Sequence, residues 1–369
     1  MKRKVRWLML LVALVPFGLL LNHARTQRTN QSVTQPAENR PTVLVSNGFR
    51  PVVDLSGLIR QADVIVVARA FNLTDLGRTT DQSQTDCAPC GPQHQLAVTL
   101  HIKRLIYGQP QQSDLTVKYL VGEQPNGKAE YSELVDSDYR LFFLKSGDGQ
   151  NYLFADQYYP FLVALNEPPA EMLGGTPYDR AVAEITNVLV SPTASSDNRI
   201  RAVSSLEFAK TRQALLALRK ASEDPDVRVR YYSMASLFRH NDITKINDGV
   251  DVLLHRAASL DRSLVDTLRA GIDVGVRDPG AIPALDRLLK SPNPEDRRSA
   301  VGALNRMGPG GRALLTKALD DDDQKVRFAA VTGLATVTGE TDGMPSLELF
   351  QKDELHYLNH WRERMKKKN

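Results

Sequence analysis

From about Ser195 to Gly339 the chain returns five times to one arrangement of apolar and polar positions, each copy reading as a short amphipathic helix that ends on a leucine. The copies are NRIRAVSSL to Leu206, VRYYSMASL to Leu237, LDRSLVDTL to Leu268, DRRSAVGAL to Leu304 and VRFAAVTGL to Leu334, with the leucines 31, 31, 36 and 30 residues apart. A period near thirty signals a stacked helical array. In the last copy Val326, Ala329, Ala330, Val331 and Leu334 fall at helical spacing, with small residues in the middle that let the helix lie close to its neighbours. Each copy is followed by a second apolar run, such as residues 214–218, 252–254, 282–289 and 313–319 after the first four. These predict partner helices, stacked pair on pair into one core, with Leu206, Leu237, Leu268, Leu304 and Leu334 facing inward.

Helix starts are marked as regularly. Asp226, the group Asn293-Pro294-Glu295-Asp296 and the pair Asp322-Asp323 stand where a side-chain oxygen can accept from the free amides of a first turn, and Pro294 suits the first helical position. The acidic run Asp320 to Asp323 therefore reads as caps; a calcium site would need a following ligand set that the sequence lacks. Arg199, Arg230, Arg297 and Arg327 occupy one place in four copies, with Asp261 there in the third. They read as an intramolecular ladder pairing with the neighbour's capping carboxylates, in preference to a phosphate-binding stripe. Tyr178 to Leu189 is the expected first helix of the array. Pro345-Ser346 opens an expected last helix to about Lys366, apolar at Leu347, Phe350, Leu355, Leu358 and Trp361, which caps the open end.

Between Phe49 and about Leu165 the period changes from helical to alternating. A short helix over 55–62 precedes the β-branched run 64–70; strands are then expected over 96–106, 115–121, 140–144, 152–156 and 161–165. Leu96, Val98, Leu100 and Ile102 oppose Ala97, Thr99, His101 and Lys103. Short strands broken by turn residues predict a small antiparallel barrel or sandwich, and Lys145-Ser146-Gly147-Asp148-Gly149-Gln150 a hairpin within it. The turn-rich stretch 166–177 separates this domain from the array.

The ends of the chain bear on location. Lys2, Arg3, Lys4 and Arg6 precede an apolar run of 15 residues from Trp7 to Leu21, the form of an export signal. It reads either as a cleaved signal over 1–24 or as an uncleaved inner-membrane anchor over 5–21, leaving the rest outside the cytoplasm. Residues 25–48, rich in Gln, Thr, Asn and Pro, read as a flexible linker. The formal charge is +4, yet the first 24 residues hold four basic side chains and no acid. The remainder is balanced at 43 of each sign, which argues against nucleic acid as a partner. The basic tail from Arg362 to Lys368 reads as solvated.

The concentrated chemistry is Cys87-Ala88-Pro89-Cys90-Gly91-Pro92-Gln93-His94, in a polar stretch between two strands. A redox pair needs a helix start to activate one thiol, and Gly91-Pro92 follows instead. Haem attachment needs His at the place Gly91 holds. Zinc could take Cys87, Cys90 and His94, but a closed site wants a fourth ligand. A loop disulfide between Cys87 and Cys90, formed after export, is the preferred reading. His356 and His360 stand four apart on the last helix without a third ligand, and read as surface side chains.

The pattern D-x-x-V-R-x-x-A-x-x-x-L, complete in Asp323, Val326, Arg327, Ala330 and Leu334, resembles the HEAT-like repeats of phycobilin lyases, over roughly residues 180–340. That resemblance implies a binding surface; only a small subset of such proteins handle bilins. The third copy departs most, keeping helical form in Leu260, Arg262, Ser263 and Leu264 without the arginine or the alanine. The order of elements over 49–165, in ADVIVVARA, LAVTLHIKRLIYG, LTVKYLVG and YRLFFLKSGDGQNYLF, resembles the netrin-like, metalloproteinase-inhibitor-like arrangement on an OB-type barrel. Inhibitory members use an N-terminal cysteine, and no cysteine precedes Cys87 here, so inhibition is not implied. The expectation is thus a signal or anchor, a linker, a β-rich domain over 49–165, a repeat array over 178–345 and a capping helix with a basic tail over 346–369. The expected function is that of an exported or membrane-tethered, non-enzymatic scaffold binding an unidentified protein, with no cofactor. Exposed charges on second helices, such as Arg287 and Lys317, would meet that partner. The alternative is an envelope thiol-disulfide enzyme using Cys87 and Cys90.

Overall fold

The computed structural model describes residues 54–79, 92–123, 126–128, 134, 138–156, 160–170, 175–342 and 344–367. The expected signal segment, the linker and the Cys87–Cys90 loop lie outside the described residues. Among those described, no helix is long and apolar enough to cross a membrane.

A short helix α1 (Leu55–Gln61) leads into strands β1 (Val64–Thr79), β2 (Gln93–Tyr107), β3 (Asp114–Gly122), β4 (Arg140–Ser146), β5 (Asn151–Phe154) and β6 (Phe161–Val163). The strands pair in the order β1-β2-β3-β5-β4, and β4 pairs back to β1, so five strands close a barrel with β6 added beyond β4. The barrel is not wholly antiparallel. Its ring closes through one parallel pair, Thr116↔Asn151 and Val117↔Tyr152, between β3 and β5. Leu96, Val98, Leu100, Leu115, Val117, Phe142 and Phe154 fill the interior. The alternation in β2 follows from one wet face, whereas β1 and β4 are apolar without alternation because both faces are covered. Val64 and Val66 point into the barrel, while Ile65, Val67, Leu141 and Phe143 pack outward against α1 and the first helices of the array. Both β1 and β2 run further than expected, through Asn72–Thr79 and Gln93–Gln95, so the polar stretch holding the cysteines is partly a β-ribbon.

The array begins with α2 (Pro177–Val190) and continues as pairs: α3 (Ser196–Leu206) with α4 (Arg212–Ala221), α5 (Val227–Arg239) with α6 (Ile246–His255), α7 (Arg262–Gly275) with α8 (Ile282–Leu288), and α9 (Pro294–Arg306) with α10 (Arg312–Lys317). It ends with α11 (Gln324–Thr338), α12 (Leu347–Lys352) and α13 (Glu354–Lys366). Each first helix packs on the first helix of the next pair. Helices α5 and α7 approach closely: a Cβ on Gly275 would stand 2.1 Å from the Phe238 carbonyl oxygen, and one on Gly271 would stand 2.9 Å from the Ala235 Cα. Only glycine fits such a contact.

The expected single last helix is two. Asp353 breaks it at φ −141° and ψ 52°, which swings Phe350 into the core against Phe328 and Tyr357, at ring separations of 5.4 and 6.1 Å. Leu355, expected on the buried face, is 69% exposed, and Leu347 also faces solvent.

Barrel and array belong to one compact unit spanning Arg50–Asn369. One apolar cluster runs from Leu55 and Ile65 through Leu162 to Ile185, Leu206 and Leu237. At its edge Arg104 of β2 reaches the fully buried Glu184 of α2 by two bonds, Nε to Oε1 at 2.9 Å and Nη2 to Oε2 at 2.7 Å. The same guanidinium donates to the carbonyls of Leu165 and Asn166, so it also ties down the turn joining the two parts.

Candidate interaction surface of the helical array

Each pair is started by a side-chain cap. Ser195, Asp226, Asp261, Asn293 and Asp323 accept from amides of α3, α5, α7, α9 and α11. The caps fix the register of the copies. In four of them the shared leucine falls eleven positions after the cap: Ser195 to Leu206, Asp226 to Leu237, Asn293 to Leu304 and Asp323 to Leu334. From Asp261 the same step leads to Ile272, so the third copy is shifted by one helical turn from the sequence-based alignment. Asp261 is therefore a cap and Val265 holds the arginine position. Leu206, Leu237, Leu268, Leu304, Leu334 and Ile272 are all fully buried.

The four arginines sit at the seams between repeats. Each holds the carbonyls of its own starting turn, and three reach an acid of the next unit. Arg199 donates to Asp224 at 3.1 Å, Arg297 grips Asp321 with two bonds of 2.7 Å, and Arg327 donates to Glu354 at 2.5 Å. Their own-turn acceptors are Ala194, Ser291, and Asp321 with Asp322. The acids met are not the expected caps. In the first two cases the acid lies two residues before the cap, and its carboxylate also accepts the cap's amide, at 2.8 Å from both Asp226 and Asp323. A D-x-D spelling at Asp224–Asp226 and Asp321–Asp323 was the signal for this. Among the described residues Arg230 bonds the carbonyls of Asp224 and Pro225 and no acid, because Ser259 stands where the next acid would be. One turn beyond the arginine position of the third copy, Arg269 bonds Asp296 at 2.7 Å. Asp296 is almost fully buried and is also held by Ser291.

This arrangement also separates the acidic run. Asp323 caps α11, Asp321 takes Arg297, and Asp320 pairs with Arg362 at 2.5 Å. The bond to Asp321, with burial opposing and the acids of the same run assisting, holds the Arg297 guanidinium above its ordinary value. Arg362, expected to be solvated, ties α13 to the turn after α10 instead.

First helices offer little free surface; in α5 the whole run Ser233 to Phe238 is buried. Second helices are more open. Leu216 on α4 is 50% exposed, and Phe208 lies exposed in the turn before it. Between α8 and α10 runs a groove of about 560 Å³ lined by Asp286, Leu289, Lys290, Pro292, Lys317 and Ala318, among others. Its lining is mixed: Leu289, Pro292 and Ala318 are apolar, Ser291 and the Arg297–Asp321 pair are polar and largely buried, and Asp286, Lys290, Lys317, Asp320 and Asp322 carry both signs of charge. Arg287 and Lys317 are not free cations: Arg287 pairs with Asp251 of the preceding second helix, and Lys317 stands 3.4 Å from Asp286, which Lys290 also meets at 2.7 Å. His356 and His360 project from the solvent side of α13, their rings edge-on to Tyr357 and Trp361. Cys87 and Cys90 lie outside the described residues, and the third residue of the zinc reading, His94, is buried in the β-ribbon.

Residues 250–335 and 282–362 match the family of HEAT repeats. Those stretches hold the last three copies, and the first two lie before them. No curated protein matches the chain.

Proposed function

We propose that this chain is an exported binding protein that holds a protein partner along the second-helix row of its HEAT-type array, with the barrel as the array's N-terminal cap. The groove between α8 and α10 carries this reading, because it sets the apolar Leu289, Pro292 and Ala318 among opposed charges that a peptide's backbone and side chains can meet. The first-helix row supports it by contrast, its side chains being spent on contacts between repeats. Export rests on the basic start and the apolar run to Leu21. The partner is a protein because the body of the chain has balanced charge and the groove offers no cationic stripe for nucleic acid.

The test is capture from the native envelope by the full chain and by a Lys290→Glu/Lys317→Glu variant. These side chains are 72% and 69% exposed, and surface pairs of this kind contribute about 0–1 kcal/mol, so folding should be kept and capture lost. Undiminished capture by that variant places the partner elsewhere. Loss of capture in a folded Cys87→Ser/Cys90→Ser variant would move the function to the cysteine loop.

A further inference from the structure

We propose that the β-ribbon above the barrel holds a divalent transition-metal site of the zinc class, with His94 and Glu123 as its protein ligands. His94 on β2 is 8% exposed. Its Nδ1 lies 2.9 Å from Oδ2 and 3.2 Å from Oδ1 of Asp75 on β1. A carboxylate in that place accepts a hydrogen bond from Nδ1–H, and the neutral ring of that tautomer carries its lone pair on Nε2. Among the described residues this Nε2 has no hydrogen-bond partner, although it is buried. It lies 3.3 Å from Oε2 of Glu123, off the line of a hydrogen bond. Two atoms that bind one tetrahedral zinc through arms of about 2.0–2.1 Å are separated by about 3.3 Å. The Nε2–Oε2 spacing matches that of two ligands on one metal.

The surroundings fit the same occupant. A ligating histidine is oriented by a carboxylate on its other nitrogen, and Asp75 is itself fixed by the amide of Gly77 at 2.8 Å. Asp75 and Glu123 bring two negative charges, and Arg78, 2.9 Å from Glu123, brings one positive. Among the described residues no third ligating side chain joins this pair, so water would complete the coordination.

The experiment uses the full chain, stripped with a chelator, dialysed and titrated with Zn²⁺ alone, with melting curves recorded for every protein. One equivalent should bind. Affinity should fall at least tenfold in His94→Gln and in Glu123→Gln, and by roughly 10–100-fold in Asp75→Asn, with stoichiometry kept in the last. Arg78 is 61% exposed, so Arg78→Gln should fold normally and bind several-fold more tightly, since it removes a competing cation. X-ray absorption on the zinc-loaded wild type should show an imidazole nitrogen in the first shell. No uptake by the wild type, unchanged affinity in His94→Gln, weaker binding in Arg78→Gln, or a shell without imidazole each overturns the proposal.

Discussion

Leu304 and Arg297 stand a few positions apart on α9 and hold the array by different means. Leu304 is fully buried between repeats, and Leu304→Ala should cost about 2–5 kcal/mol by leaving a cavity, read from urea melts. The inward leucines were legible because a helical period places them on one face whatever lies opposite. The partners of the arginines were not, since a bond across a seam depends on where the next turn starts. His240 gives a residue-scale dependence on pH. Its Nε2 donates to the Leu206 carbonyl at 3.1 Å, and burial, outweighing that bond and the nearby Glu207 and Asp242, lowers its pKa below the ordinary 6.5. The folded chain then binds fewer protons than the unfolded chain just below 6.5, so this contribution to stability is whole above that value and is lost as the pH falls through it. The slope of Tm against pH between about 7.5 and 5.5 should flatten in His240→Gln; an unchanged slope would place the titration elsewhere.

At the scale of elements, what the sequence resolved and what it missed divide along one line. Amphipathic stretches such as β2 and α11 were legible because one wet face imprints a period. The runs in β1 and β4 gave strands without showing that both faces are covered, and their outer cover, α1 and α2, comes from separate parts of the chain. The break at Asp353 was hidden because Phe350 and Leu358 also suit one continuous helix. The third copy was misaligned by a turn because Leu268 and Ile272 are both buried, and only the cap decides between them. That register is testable. If Asp261 were a ladder position, Asp261→Arg would restore a rung and raise Tm. As the cap of α7, its replacement by Arg or Ala should lower Tm, while Asp261→Ser, which keeps an acceptor, should leave it nearly unchanged.

For the whole molecule, the decisive fact is that the barrel and the first repeats share one apolar cluster and the Arg104–Glu184 pair. Arg104 is 13% exposed and Glu184 not at all, so removing either partner strands a buried charge, at a cost of about 3–5 kcal/mol. Arg104→Ala should therefore lower the melting of barrel and array together, in one calorimetric transition; two separated transitions would show that the parts fold independently. The contact between α5 and α7 matters at this scale in another way. The backbones touch where Gly275 meets Phe238, near the middle of the stack, so that seam is the fulcrum of a lever whose arms are the chain before and after it. A single methyl in Gly275→Ala would act as a wedge. The arms would keep their helix content by circular dichroism and swing apart as rigid bodies, changing the radius of gyration in solution scattering. The curvature of the array is thus sensitive to the missing side chains of Gly271 and Gly275.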